Sequence, residues 1–551
     1  MMTFVKRSAA LTLAAGLFFS SYAQNATVPK GWHLEDKTTD GYYGISLDKA
    51  YDFVKGRQSK PIVVAIIDSG IDTLHEDLKT VLWTNTKEIP GNGIDDDNNG
   101  YVDDVHGWNF LGGRDGRNVK EDSYEAARFY HKYKSKFDNA DTTALNDSDQ
   151  ALYKSWKKAQ NDVVGSVDKN EVFFLKKMYP NLKSGDSVIV KDLNKTEYTG
   201  KDLEAYTPSS KAAAMTKNII MSISKANNSM DITNTQLLEE LEGQIRKAES
   251  ADAPPKDYRG EIVQDNYDDI NDRFYGNNDI MANTPMHGTH VAGIIAAARN
   301  NGKGMNGIAD NAKVMMVRAV PDGDEHDKDI ALAIRYAVDN GAKVINMSFG
   351  KSFSPEKPWV DSAVAYAASK GVLLVHAAGN DAANVDSVNN FPNPTFVTNN
   401  QRATNWITVG ASSDPKMGDL VSDFSNYGKK EVDVFAPGSQ IYSTLPGGNT
   451  YGNLSGTSMA SPVVAGLAAF VWSYFPNLTL EQLRDVIENS ASKITATVKN
   501  PHTGEMVPLS ELSVTGGLVN AYEAVKLAST LSGKSTQPVK SKSVVKKTKR
   551  A

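Results

Sequence analysis

From Pro61 onward, short apolar runs alternate along the chain with stretches whose apolar residues recur at helical spacing. The apolar runs predict strands at residues 62–67, 313–317, 343–347, 372–376 and 406–409. The stretches between them predict helices at residues 287–298, 329–340 and 359–369. Strands that are apolar at nearly every position are buried on both faces, which is typical of parallel sheets covered by helices. The pattern therefore predicts an α/β fold with a parallel sheet that helices cover on both faces.

Between about residues 114 and 275 the sequence becomes polar and rich in Lys, Asp and Asn. Thr233 and Gln236 match a capping box at the start of an amphipathic helix. One face of that helix is apolar at Leu237, Leu241, Ile245 and Ala248. We expect residues 114–275 to be a mostly helical insertion in a parent domain made of residues 61–113 and 276–531, with this apolar face packed on the parent domain.

The N-terminus has the pattern of an export signal. Two basic residues precede an apolar run over residues 9–19, and the small residues Ser21 and Ala23 follow. This predicts a signal peptide over residues 1–23, and residues 24–60 would then form an N-terminal arm. A membrane anchor is the alternative, but the run is shorter than the roughly 20 residues that cross a bilayer. We expect an exported, periplasmic or extracellular protein with no transmembrane segment in the mature chain.

The composition of the chain limits the partners and the chemistry that can be expected. The net charge of the 551 residues is −6, which gives no reason to expect nucleic acid as the main partner. There is no cysteine, so disulfides and a thiol nucleophile are excluded, and stability depends on core burial, on bound ions or on both. Residues 532–551 hold seven basic residues and no acidic ones, which predicts a disordered tail, either simply solvated or attached to an acidic surface.

Ser458 and His287 are candidates for a nucleophile and its base. Ser458 begins a predicted helix, where free N–H groups and the helix dipole favour developing negative charge, although serine caps are commoner than nucleophiles. A serine hydroxyl needs a base of near-neutral pKa, and histidine is the usual one. His290, three positions after His287, could suggest metal ligation, but no HExxH pattern is present and we expect His290 to be structural.

Asp68 and Asn380 each follow an apolar strand. Open α/β sheets place their sites at the carboxyl ends of strands, where Asp68 could hold an imidazole in the required tautomer. Asn380 could donate an amide hydrogen bond to an oxyanion, beside the backbone N–H of Ser458. Taken singly, the two side chains are as well explained by turn roles.

The combination resembles a known family. Asp68, His287 and Ser458 occur in the chain order of subtilisin. The segments that resemble signatures of the subtilisin-like serine peptidases (subtilases) are IIDSG at 66–70, HGTHVAG at 287–293, AAGN at 377–380, GTSMASP at 456–462 and GLVNA at 517–521. The resemblance covers residues 31–113 and about 276–531. It implies a doubly wound fold and an endopeptidase that cleaves peptide or protein substrates through an acyl-enzyme, with these three residues as its triad and Asn380 as oxyanion donor.

The resemblance also implies where a substrate lies. Ser348, Phe349 and Gly350 would form an edge strand that pairs with the substrate backbone. The S1 pocket would be walled by these residues together with Ala377, Ala378 and Gly379.

The chain departs from the family pattern in three ways. Asp68 and His287 are 219 positions apart, far more than in compact members. Lys351 replaces a common second glycine, which puts the usual broad apolar S1 preference in doubt. Residues 31–57 already resemble the mature N-terminal arm, so we expect no inhibitory prodomain. The insertion could gate the active site, or it could be a remote structural addition.

An acidic loop over residues 95–104 is a second candidate site. Asp95, Asp97, Asn99 and Asp103 match EF-hand positions one, three, five and nine, and we expect them to bind a structural calcium ion. His106 occupies position twelve in place of the bidentate Glu, which excludes a full EF-hand. A solvated acidic turn is the alternative.

Two rival functions are open. A secreted binding protein on an inactive subtilase fold would have lost a triad member, and none is lost. An esterase on another α/β fold is disfavoured because no G-x-S-x-G elbow surrounds Ser458, since Ala460 occupies the second glycine position.

Overall fold

The computed structural model describes residues 28–165, 169–195, 197–226, 230, 232–283 and 285–531. The signal peptide, the first residues of the N-terminal arm and the basic tail that the sequence predicts lie outside the described residues. Among the described residues, no helix has the length and apolar character required to cross a membrane.

The strands, in chain order, are β1 Ile62–Asp68, β2 Gly107–Asn109, β3 Ala312–Arg318, β4 Val344–Met347, β5 Leu373–Ala377, β6 Trp406–Ser412, β7 Val434–Pro437, β8 Ile441–Leu445, β9 Thr450–Leu454, β10 Ser492–Lys493, β11 Thr497–Lys499, β12 Met506–Pro508 and β13 Gly517–Leu518. The α-helices are α1 Leu47–Val54, α2 Glu125–Phe137, α3 Asp147–Val164, α4 Lys169–Leu193, α5 Gly200–Glu204, α6 Lys211–Ala226, α7 Asn234–Glu249, α8 Gly260–Val263, α9 Met286–Ala296, α10 Asp327–Asp339, α11 Lys357–Ser369, α12 Thr457–Tyr474, α13 Leu480–Asn489 and α14 Ala521–Leu531. Short 3₁₀ helices occur at Trp32–Leu34, Pro415–Met417 and Leu509–Glu511.

A nine-stranded sheet forms the centre, in the order β10-β13-β7-β6-β5-β4-β1-β3-β2. All its pairs are parallel except β10 with β13. On one side of β1 lie β3 and then β2 at the edge, and on the other side lie β4 to β7 followed by β13 and β10. The predicted strands appear as β1, β3, β4, β5 and β6, so the α/β prediction is confirmed.

Helices cover both faces of this sheet. One apolar cluster includes residues of α1, α9, α12, α13 and α14, and the other includes residues of α10 and α11. Helix α12 is buried along almost its whole length, because it crosses the middle of the sheet. This double layer explains why the strands are apolar at nearly every position.

Residues 114–275 are here called the insertion. They lie between β2 and α9 and contain α2 to α8. The predicted capping box is present, since Thr233 and Gln236 each accept a hydrogen bond from the other's backbone N–H. The prediction that the apolar face of α7 packs on the parent domain is wrong for its central residues. Leu237 and Leu241 pack with Leu182 of α4 in a separate cluster, because α4, α6 and α7 carry complementary apolar faces.

The insertion is attached to the parent domain by buried ion pairs near its C-terminal end. Arg259 is 2% exposed and bonds both Asp265, at 2.5 Å, and Asp329 of α10, at 2.6 Å. Lys328 of α10 reaches the same Asp265 at 2.6 Å. Each of these buried charges has a partner, as burial requires.

Candidate active site

The structure brings together Asp68 and His287, which are 219 positions apart in the sequence. Asp68 ends β1 and is 1% exposed, and its Oδ1 lies 2.8 Å from Nδ1 of His287, the second residue of α9. Asp68 Oδ1 also accepts a hydrogen bond from the N–H of Ser69 at 2.8 Å. A carboxylate on Nδ1 keeps the proton there, which leaves Nε2 of the neutral imidazole as an acceptor.

A close helix approach makes this pair possible. A Cβ on Gly288 would lie 2.1 Å from the carbonyl oxygen of Gly70 and 3.2 Å from Cβ of Asp68. Only glycine therefore lets the first turn of α9 reach the turn that follows β1.

Ser458 is the second residue of α12 and is tied to Ser348, which follows β4. Its Oγ donates to the Ser348 carbonyl at 3.0 Å, and Ser348 Oγ donates to the Ser458 carbonyl at 2.9 Å. The second bond is available because Pro462 has no N–H with which to bond the carbonyl four residues earlier. Among the hydrogen bonds of the described residues, none joins Ser458 Oγ to His287, because Oγ donates to Ser348 instead.

The Asn380 amide has a fixed orientation. Its Oδ1 accepts from the backbone N–H of Thr457 at 2.8 Å and from the Thr457 hydroxyl at 2.9 Å, so Nδ2 faces the other way. A methyl group placed on Gly456 would lie 3.5 Å from Asn380 Nδ2 and 3.6 Å from the backbone nitrogen of Ser458. Asn380 Nδ2 and the backbone nitrogen of Ser458 therefore both lie close to the same point at the start of α12. Gly379, at φ 101°, makes the turn that places Asn380 there.

The predicted substrate segments lie near each other, but residues 348–350 are not in a strand of the structure. β4 ends at Met347, and the carbonyl of Phe349 accepts from His376 Nε2 at 2.8 Å. Among the described residues, no strand pairs with this segment, so its pairing with a substrate backbone stays a prediction. Burial lowers the pKa of His376 to about 4, so this imidazole is neutral at pH 7.

Asn390, which sequence reasoning missed, lies between the two predicted pocket walls. Its Nδ2 donates to the carbonyls of Ala377 and Ala378 at 3.2 and 3.0 Å. Its Oδ1 lies 2.4 Å from the position of a Cβ on Gly350. No motif indicates this asparagine, because its role depends on a loop that returns between two distant segments.

Arg318 was also missed, since it is the last residue of an apolar strand. It lies opposite Asp68 in the β1–β3 register and is 1% exposed. Its guanidinium donates to the carbonyl of Ser69 at 3.0 Å and to Asn109 Oδ1 at 3.0 Å. Burial lowers the pKa of Arg318 to about 10, and it stays charged at pH 7. Arg318 thus holds the turn that follows Asp68.

His290 is fully buried, and its Nε2 bonds the carbonyl of Gly452 at 3.1 Å. Burial lowers the pKa of His290 to about 3, so the ring is neutral at pH 7. The geometry agrees with the structural role expected of His290.

In the acidic loop, the structure changes the predicted set of cation ligands. Carboxylate oxygens of Glu88, Asp95 and Asp97 lie within 4.8 Å of one another. Asp103 instead accepts from the backbone N–H groups of residues 91–93, at 2.7 to 3.2 Å. Asn99 Nδ2 donates to Asp104 at 3.0 Å, while its Oδ1 accepts from the N–H of Tyr101. Glu88 was missed because it lies upstream of the EF-hand-like loop.

Comparison with known proteins places this geometry in a family. The family model for the subtilase family matches residues 59–508. The chain is 44% identical over 212 residues to the "Thermophilic serine proteinase" of Bacillus sp. (strain AK1), covering 38% of this chain and 48% of that protein. It is 40% identical over 272 residues to "Thermitase" of Thermoactinomyces vulgaris, covering 48% of this chain and 85% of that protein. The chain thus spans about half the length of the first relative and most of the second.

Proposed function

Because the chain belongs to the subtilase family, a family of serine endopeptidases, we propose that it hydrolyses peptide bonds through an acyl-enzyme on Ser458. The observation that carries the proposal is the 2.8 Å bond between Asp68 and His287, beside a serine at the start of a buried helix. Asp68, His287 and Ser458 are the triad in this proposal. The substrates are peptides or proteins.

In the first step, Ser458 Oγ turns from the Ser348 carbonyl to Nε2 of His287 and gives up its proton there as it attacks the scissile carbonyl. Asp68 holds the Nδ1 proton and stabilises the imidazolium. When the tetrahedral intermediate collapses, Nε2–H protonates the leaving amine and the acyl group stays on Ser458. Water then gives its proton to Nε2 and attacks the ester, which releases the acid and restores the serine.

Asn380 is the side-chain donor to the oxyanion. Support comes from its amide, which Thr457 orients so that Nδ2 borders the same space as the N–H of Ser458. Fixed donors of this kind stabilise the charge that develops on the carbonyl oxygen.

Residues 348–350 bind the substrate backbone, and Ala377, Ala378 and Gly379 form the opposite wall of the S1 pocket. In the described part of the chain, no strand pairs with residues 348–350, and Asn390 bonds the opposite wall; both observations support this placement. A bound substrate would lie beside residues 348–350 as an added strand and pair with their backbone.

A structural calcium ion binds the acidic loop through Glu88, Asp95 and Asp97. Support comes from carboxylate oxygens close enough to share one ion, which is the ligand type that calcium prefers. The cation would relieve the repulsion among these carboxylates.

The protein is exported, to the periplasm or outside the cell. Support comes from the basic, apolar and small-residue pattern of residues 1–23. In a bacterial host that exports the protein, the secreted form should begin at Gln24, and an N-terminus at Met1 would contradict this.

The Ser458→Ala variant tests the catalytic proposal. Cleavage of an unfolded protein substrate should fall by about 10⁶-fold in kcat, the loss that follows removal of the serine in subtilisin. The melting temperature should stay close to that of the unmodified protein. A homogeneous variant that keeps more than about a tenth of the activity would show that another group is the nucleophile.

A further inference from the structure

The residues that follow the substrate-binding segment enter the insertion. Phe353 is 6% exposed and belongs to an apolar cluster otherwise formed by the insertion, with its ring 4.9 Å from that of Phe129 on α2. Lys158 of α3 donates to the carbonyl of Ser352 at 3.4 Å. The insertion is therefore not remote from the active site, because it packs on chain that directly continues residues 348–350.

Lys351 points away from the cleft and into a buried ionic cluster. Its ammonium lies 3.0 Å from Glu125 of the insertion, 2.8 Å from Asp327 and 2.7 Å from the carbonyl of Glu325. Its side chain is 1% exposed. Burial would lower the pKa of Lys351, but Asp327 and Glu125 outweigh this and hold it above its usual value. Lys351 therefore stays charged, with three acceptors in a fixed arrangement.

Glu125 begins α2 and is as tightly held as Lys351. Its carboxylate bonds Arg128 at 2.7 Å, and its backbone N–H donates to Asp324 at 2.9 Å. Burial raises the pKa of Glu125. Arg128, Lys351 and His326 together have the larger, opposite effect and hold this pKa below its usual range. The ion pair with Lys351 thus joins two charges that the surrounding structure fixes.

The backbone of Lys351 is fixed as well. Its N–H donates to the carbonyl of Phe391 at 3.0 Å, and the Phe391 N–H donates back at 2.8 Å. Phe391 follows Asn390, whose side chain lies between the pocket walls. A shift of Lys351 would therefore move Gly350 on one side and Asn390 on the other.

We propose that Glu125 is a positioning residue for substrate binding: through its ion pair with Lys351, the insertion holds residues 348–350 where they pair with the substrate backbone. The inference rests on the proposed endopeptidase function and specifies what the insertion adds to it. Extended substrates need this alignment along several residues, whereas a small ester needs only the triad and the oxyanion donors. Misplacement of about 1 Å can cost about 100-fold in rate.

The Glu125→Gln variant tests the proposal because it removes the charge but nearly preserves the shape. Two substrates are compared: a tetrapeptide anilide that occupies the acyl side of the cleft, and a blocked single-residue ester. Rates are normalised to the active fraction found by titration with a fluorophosphonate. We expect kcat/KM for the tetrapeptide to fall about 10- to 100-fold and kcat/KM for the ester to change less than about threefold.

A matched control removes a charge from the same helix without touching Lys351. Lys136 of α2 forms an exposed pair with Asp149 at 2.6 Å, and Lys136→Gln should leave both rates unchanged. Glu125→Asp keeps the charge and should recover much of the tetrapeptide rate. If Glu125→Gln yields no folded protein, Glu125→Asp alone tests the proposal, since it should show a smaller loss that is still confined to the tetrapeptide.

Equal losses on both substrates after normalisation would overturn the proposal, because Glu125 would then support the fold alone. An unchanged tetrapeptide rate in Glu125→Gln would overturn it as well. Failure of the proposed function is a separate result: the unmodified protein would then hydrolyse neither substrate and would not react with the fluorophosphonate.

Discussion

In its proposed role as oxyanion donor, Asn380 acts on the transition state alone, because the oxyanion forms only after Ser458 attacks. The Asn380→Ala variant should lower kcat by about 10²–10³, the cost of removing the oxyanion asparagine in subtilisin, and leave KM nearly unchanged. Steady-state kinetics on a peptide anilide measure both constants. A rise in KM at constant kcat would instead assign Asn380 to substrate positioning.

Glu325 lies beside the ionic cluster around Lys351, and we expect it to make the stability of the fold depend on pH. It is fully buried, and one carboxyl oxygen has no hydrogen-bond partner. Burial raises the pKa of Glu325 to about 8, with Lys351 opposing and Asp324 and Asp327 adding to the shift. The folded chain therefore holds this proton more tightly than the unfolded chain. The free energy of unfolding should fall as pH rises from the unfolded value of 4.5 toward 8.

Glu325→Gln is neutral throughout this range and should reduce that fall. Melting temperatures measured from about pH 5 to pH 8 compare the two proteins. Glu505→Gln, at an exposed position, is the control and should follow the unmodified chain. Equal slopes for Glu325→Gln and the unmodified chain would show that Glu325 is ionised in the folded protein.

Single residues were predictable from the sequence where local context marks them. Asp68 and Asn380 follow apolar strands, and Ser458 begins an apolar helix, so their positions follow from the elements that carry them. Glu125 and Lys351 were not recognised as partners, because 226 positions separate them and nothing local indicates a contact. Lys351 stood out in the sequence because it replaces a common glycine, but its pairing with Glu125 was not predicted, and its effect on the S1 preference stays a prediction.

The acidic loop is the element at which the proposed calcium ion would stabilise the fold. Calcium should raise the melting temperature, by an amount that corresponds to about 2.7 kcal/mol at a hundredfold excess over Kd. Replacing Asp95 and Asp97 by Ala, or Glu88 by Gln, should remove this response. Asp115→Asn, which alters an exposed carboxylate paired with Arg117, should retain it. A melting curve that chelator does not move would leave the loop as an acidic turn.

Helices and strands were predictable where the spacing of apolar residues along the chain follows which residues are buried. The five predicted strands and three predicted helices appear within three residues of their predicted ends, because helices on both faces leave the strands no polar side. The surface against which an amphipathic helix packs cannot be predicted from the sequence of that helix alone. The apolar face of α7 fits the parent domain or its neighbours in the insertion equally well, and only the structure shows that Leu237 and Leu241 pack on α4 and α6.

On the scale of the whole molecule, the insertion contacts the parent domain beside residues 348–350, the segment proposed to align the substrate. Arg259 ties one end of it to α10, and Glu125 ties the other to the chain that continues residues 348–350. Its removal would leave Lys351 without one of its two carboxylate partners and would expose Phe353. A point variant at Glu125 therefore separates alignment from folding better than deletion of the insertion.

The central claim is that Ser458 is an activated nucleophile. Reaction of the folded protein with a fluorophosphonate, followed by mass spectrometry of its peptides, tests this most directly. The account predicts one adduct per chain, on Ser458, and no adduct in the Ser458→Ala, His287→Ala or heat-unfolded protein. Absence of an adduct on the folded chain, or an adduct on a different serine, would contradict it.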